Sequence, residues 1–188
     1  MALGKYIPKN MDLARSEVGI FMTDDDPGGA GAVSSGKGDK GGISFGTFQM
    51  PSVPFTKGQK PKVTLFVEQL PSSFLRRFKD NRGNIYPPQS QKFADAWRQL
   101  AKTDNLLFGQ LQEKYIQKGG AGVVGLEDYI KQFESLTGKK YSSLSQSGQE
   151  QLEGTYNHMG RLGHGHARAA MKHEATARKS GKPFSERD

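Results

Sequence analysis

The chain has 188 residues, 34% of them hydrophobic, no cysteine and a formal net charge of +8. That is apolar material for one core, with or without an appendage, and it excludes disulfides and cysteine-based zinc sites. No run approaches the ~18 apolar residues of a membrane helix, and residues 1–12, MALGKYIPKNMD, lack the apolar stretch of a secretory signal.

Residues 10–19 read as a short helix, with Asn10 or Asp12 as its cap and Met11, Ala14 and Val18 on one face. Glu17 stands near its C-terminal end, and Gly19 can terminate it. Residues 23–42 are rich in Gly, Asp and Ser and cannot form a regular helix. Ile43 to Phe48 alternate large and small side chains. They read as a strand with Ile43, Phe45 and Phe48 packing, and with Val33-Ser34-Ser35 as hairpin partner across a glycine-rich turn. Pro51, Pro54 and Pro61 punctuate a loop. Helical periodicity then takes over. Val63, Phe66, Val67 and Leu70 make one stripe; Phe93, Ala96, Trp97 and Leu100 make a second; Leu106, Leu107, Leu111, Tyr115 and Ile116 make a third. Leu126, Tyr129, Ile130 and Phe133 indicate a fourth helix, and Leu144 to Met159 holds a fifth. From Arg161 the chain turns polar and basic. Residues 1–160 are therefore expected to form the main domain and 161–188 a basic C-terminal helix and tail. Strands early and helices late make this an α+β protein.

The chemistry-bearing stretch runs from Val33 to Met50. It sets one acid, Asp39, on a turn of small residues, which lets a bulky polymer approach the backbone closely. Five residues later a hydroxyl, Ser44, lies on the strand. Upstream, a helix-end Glu17 packed against apolar residues would keep its proton more readily than a solvated Asp. Two carboxyl groups in unlike surroundings are what acid/base cleavage of a glycosidic bond requires.

The run SSGKGDKGGISFGTFQ, Ser34 to Gln49, resembles the active-site hairpin of the chitosanase-like branch of the lysozyme superfamily. That branch includes peptidoglycan-cleaving domains of secretion-system spike proteins and phage lysins. Its motif is similar to S-[ST]-G-x-G-D-x-G-G-x-S-[YF]-G-x-[YF]-Q, and every defined position is met. The related chitosanase turn, G-D-x-x-G-x-T-x-G, is matched by Gly38, Asp39, Gly42 and Gly46, with Ser44 in place of Thr. The resemblance implies a lysozyme-like fold, a short catalytic helix and glycine-rich hairpin followed by a mostly helical lobe. It implies Glu17, in Glu17-Val18-Gly19, as general acid, Asp39 as general base, and Ser44 holding the attacking water. Ser35, Lys37, Gly42 and Gln49 are the candidate substrate-binding residues; Gln49 either donates to a sugar hydroxyl or satisfies backbone. The segment between Glu17 and the motif is longer than usual. Spacing without an insertion would bring Asp24 to the acid position, so Asp24 and Asp26 stay as alternatives.

The implied activity is hydrolysis of the β-1,4 glycan backbone of peptidoglycan, as in a muramidase or phage endolysin, with inversion and no cofactor. A chitosanase, or a virion or secretion-apparatus component that keeps the fold without activity, is the alternative. Chitosan is a polycation and would be repelled by a basic protein, whereas peptidoglycan carries carboxylates. The basic tail (Arg161, Arg168, Lys172, Arg178, Lys179, Lys182) could touch an anionic envelope surface, although a solvated tail accounts for it equally. His158, His164, His166 and His173 lack a carboxylate at a clear ligand spacing, so no metal site is expected. No specific nucleic acid is expected either, since no recognition motif accompanies the charge. The expected route is synthesis in the cytoplasm, then delivery to the cell wall by phage lysis, a phage particle or injection machinery.

Overall fold

The computed structural model describes residues 4–9, 21–54, 57–120, 123–159 and 172. The helix expected over 10–19, with Glu17, lies outside the described residues, as does the tail apart from Lys172. The chain divides into two compact units, Met1–Ile116 and Gln117–Asp188. The division falls inside the stretch expected as one domain, and the boundary expected near Arg161 lies outside the described residues.

In the first unit, β1 (Ser44–Phe45) pairs antiparallel with β2 (Met50–Pro51), Ser44 opposite Pro51 and Phe45 opposite Met50. The expected strand is cut to two residues because residues 46–49 form the connecting turn. Its second partner is thus Pro51, which sequence alone assigned to a loop; a two-stranded ladder leaves a proline without a hydrogen-bonding duty it cannot meet. The expected pairing with 33–35 is present in part. Val33 bridges Phe45, and the Ser34 N–H donates to the Ser44 carbonyl at 2.9 Å. Helices α1 (Lys62–Val67) and α2 (Ser72–Leu75) follow, then α3 (Gln91–Lys118), two helical arms joined across a kink at Asp104.

The two helices expected around Trp97 and Leu111 are both present, as the two arms of α3 on either side of a kink. Asp104 leaves helical geometry at φ −137°, ψ 41°. Buried positions Phe93, Trp97, Leu100, Ala101, Asn105, Phe108, Gln112 and Tyr115 recur at helical spacing. That phase puts Leu106 and Leu107 on the outside, where they are exposed, contrary to the expected stripe. Their neighbour Asn105 takes the inward position because it has polar work there. Its Oδ1 accepts the Tyr6 N–H at 2.7 Å and its Nδ2 donates to Asp26 at 2.9 Å.

Trp97 is the centre of this core. Its ring meets those of Phe45, Phe66, Phe78, Phe93 and Phe108 at centroid distances of 4.8–6.4 Å. Such pairs add about 0.5–1.5 kcal/mol each beyond burial. Phe45 thereby ties the hairpin strand to α3, and Phe66 ties α1 to the same tryptophan. The segment 4–9 is laid over the same helix, with the Tyr6 ring against Gly109, where a methyl group would overlap it.

In the second unit, β3 (Gly119–Gly120) pairs with β4 (Val123–Val124), and α4 (Leu126–Thr137) and α5 (Gln146–Met159) carry the core. Leu126, Tyr129, Phe133, Leu144, Leu152 and Tyr156 are buried. Tyr129 and Tyr156 pack with centroids 5.3 Å apart, and the Tyr156 hydroxyl donates to the Val124 carbonyl at 2.9 Å. Glu127 and Asp128 in the first turn of α4 complement its dipole. No described helix is long and apolar enough to cross a membrane.

Candidate functional site

Small residues and turn chemistry shape the hairpin. Asp39 sits exposed on the turn, and its Oδ1 accepts the Gly41 N–H at 2.7 Å. This side-chain turn fixes the carboxyl group with a local bond and leaves it facing solvent. The Asp39 N–H in turn reaches the Gly36 carbonyl, and the Gly42 N–H reaches the Asp39 carbonyl. Ser44 is buried on β1. Its amide donates to Ser34 Oγ at 2.8 Å, so the bond fastening Ser44 does not consume its hydroxyl.

Among the candidate binding residues, Ser35 and Lys37 are exposed beside Asp39, and Ser35 Oγ accepts the Lys37 N–H. Gly42 is a close-packed position of the hairpin. A side chain there would run into Ser52 and Val53. Gln49 is the one non-glycine with positive φ among the described residues, at 45°. Its Nε2 donates to the Gly46 carbonyl at 2.9 Å, so its amide nitrogen satisfies backbone. Asp39, Ser44, Ser35, Lys37, Gly42 and Gln49 thus share one hairpin, while Glu17 lies outside the described residues.

The acidic run divides by role. Asp26 has both oxygens committed. Oδ1 accepts the Ala30 N–H and the Asn105 amide, each at 2.9 Å, and Oδ2 accepts the Gly31 N–H at 2.7 Å. Asp24 and Asp25 are exposed, and the Lys5 ammonium bonds the Asp24 carbonyl and the Asp25 carboxylate.

Sequence reasoning missed the residues that hold this loop in place. Gln112, fully buried on α3, accepts the Thr47 N–H at 3.1 Å and donates to the Ala30 carbonyl at 2.9 Å. Trp97 Nε1 donates to the same carbonyl, and Thr47 Oγ1 donates to the Gly28 carbonyl. Gly46, at φ 74°, leaves no room for a side chain: a Cβ would lie 2.1 Å from Gln112 Oε1. The available signal was a glutamine on the apolar face of a helix, where an unpaired amide would be costly.

The family model described as type VI secretion system spike protein VgrG3-like, C-terminal, matches residues 22–123. The chain belongs to this family. The match covers more than half of the chain and holds the whole hairpin, the Asp24–Asp26 run and Gln112; it begins after Glu17. No curated protein and no solved structure matches the chain. For a VgrG3-like domain, the secretion apparatus is the assembly to which the family description points.

Proposed function

We propose that this VgrG3-like domain is a glycoside hydrolase that cleaves the β-1,4 glycan backbone of peptidoglycan after delivery by an injection machine. The observation that carries the reading is the hairpin. The complete chitosanase-like motif, Ser34 to Gln49, lies inside the family match, with Asp39 exposed and oriented by Gly41. In this reading Asp39 removes a proton from water that the Ser44 hydroxyl helps to hold, and Glu17 protonates the leaving oxygen. Asp26 is committed to the loop, so the alternative acid narrows to Asp24. A base that works through water stands ~6.5–9.5 Å from the acid, against ~5–5.5 Å for a direct nucleophile, and gives net inversion. The anionic envelope and the basic tail would supply the long-range attraction.

A second reading is favoured by the family itself: a spike component that keeps the fold for docking and has no activity. A chitosanase is disfavoured by the charge of +8.

Turbidity clearance of purified cell walls separates these. The wild type should clear walls, whereas Asp39→Asn and Glu17→Gln should each lose about 10²–10⁴-fold, the usual worth of general acid or base catalysis. Retained folding in both variants is part of the expectation. Full activity in Glu17→Gln with loss in Asp24→Asn would move the acid to Asp24. No clearance by the wild type would favour the docking component.

A further inference from the structure

The first unit carries a cavity of about 580 Å³ whose lining includes Lys5, Asp25, Asp26, Arg98, Lys102 and Asn105. That volume suits a ligand of a few residues. Its inner polar groups are already satisfied by one another. Asn105 is held between the Tyr6 amide and Asp26, and Asp26 by three N–H donors. Its outer charges are exposed, and their ion pairs are long, although the Lys5 ammonium also bonds the Asp24 carbonyl. The Lys5–Asp25 pair is 3.3 Å long with the Asp25 side chain fully exposed, and Arg98 meets Asp95 only at 3.5 Å with both side chains open to water. Lys102 is exposed and has no partner among the described residues. Pairs of this kind contribute little and exchange readily for a ligand.

No aromatic side chain is among the described lining residues, so they offer no flat stacking surface of the kind that sugar rings favour. What the cavity offers is three cations beside one exposed carboxylate. The complement is a short zwitterionic chain with more carboxylates than amines, its carboxylates meeting Arg98 and Lys102 and its ammonium meeting Asp25. We propose that this cavity binds the peptide stem carried by the glycan strand, a second recognition site for the polymer cut at the hairpin; the proposal rests on the hydrolase reading for the identity of the polymer. Asp26 and Gly31, in the cavity wall, belong to the loop that runs into Ser34. A bound stem would therefore engage the same loop that leads into the catalytic turn.

The test is titration of the full chain with a soluble tetrapeptide bearing two free carboxylates and one free amine, followed by calorimetry or NMR. Saturable binding is expected, weakened by added salt and about tenfold weaker in the Arg98→Glu/Lys102→Glu variant with an unchanged melting temperature. If the double variant does not fold, Lys102→Gln alone should still weaken binding. Absence of saturable binding to the wild type, or equal binding to the variants, overturns the proposal. Cleavage of intact peptidoglycan by the wild type is measured beside it. Failure there sinks the hydrolase reading and leaves the titration result standing on its own.

Discussion

The hairpin region of the first unit and the helical pair of the second are stabilised by different means. Around residues 26–49 the backbone is pinned by buried or half-buried polar side chains: Gln112 to Thr47 and Ala30, Trp97 to Ala30, Asn105 to Tyr6, Asp26 to Ala30 and Gly31. In the second unit α4 and α5 are joined by apolar and aromatic packing, and the ion pairs, such as Lys118–Glu127 and Lys131–Asp128, are exposed. The contrast has a physical cause. A segment with two-residue strands and many glycines cannot hold its shape through a ladder or a packed face, so its orphan N–H and C=O groups must find side chains. Helices satisfy their own backbone and need only a stripe of apolar residues.

The sharpest way to break the comparison is Gln112→Leu. The substitution keeps a side chain of similar size but strips the buried Thr47 N–H of its acceptor. An unsatisfied buried donor costs roughly 1–3 kcal/mol, and repacking beside Gly46 adds to it. We expect a loss of about 2–3 kcal/mol, read by the fluorescence of Trp97, the single tryptophan of the chain. Wall hydrolysis should fall further than stability alone accounts for, because Thr47 anchors the turn that follows β1, the strand that carries Ser44 and follows the Asp39 turn. A variant as stable as the wild type would mean that the polar pins are dispensable.

In the second unit the equivalent experiment runs the other way. The Tyr129 hydroxyl is buried and has no hydrogen-bond partner among the described residues, and burial pushes its pKa up to about 12. Tyr129→Phe removes a group unpaired among those residues and should leave stability at neutral pH unchanged or slightly improved. The sign of the pH effect follows from the raised value. The unfolded tyrosine ionises near its ordinary value of 10.0, the folded one near 12, so stability is whole below 10 and falls as the pH rises between them. The loss approaches roughly 2 kcal/mol by the upper value, and Tyr129→Phe should be spared that share. Denaturant melts at about pH 9 and about pH 11.5 decide it; an equal alkaline loss in wild type and variant would refute the assignment.

The same contrast explains what could be read before folding. Period-3.6 stripes located α1, α3, α4 and α5, because a helix records its buried face locally. The hairpin was recognised through its motif, and the turn residues that set Asp39 beside Gly41 are contiguous. Three features depended on distant residues and were not legible. Gln112 and Asn105 act across 65 and 79 positions of sequence, and a polar residue in an apolar stripe does not announce its partner. Asp26 stands beside Asp24 as an alternative acid in the sequence, and only its N–H donors separate the two. Leu106 and Leu107 were placed inward because leucine is usually buried, but Asn105 holds the inward register and turns them out.

The smallest expected effect tests whether a half-buried polar contact of the second unit matters at all. Glu134, on α4, accepts the Tyr141 N–H at 2.9 Å through one oxygen and pairs with Lys140 at 3.0 Å through the other. The bond from the Tyr141 amide, followed by the Lys140 ammonium, holds its pKa below the ordinary carboxylate value. A depressed folded value means that the carboxylate form is favoured by folding. The contribution is present above the unfolded pKa of about 4.5 and is lost as the pH falls through the lower folded value. Glu134→Gln keeps an acceptor for Tyr141 but removes the charge, so it mimics the protonated state. The wild type should exceed the variant slightly at neutral pH, and the gap should close on acidification, when both side chains are neutral. Added salt should reduce the gap by screening the Lys140 share, while the amide share persists. Paired melts across this pH range read it directly. A gap that widened toward low pH would show that Glu134 is stabilised in its protonated form, against the geometry of its two bonds.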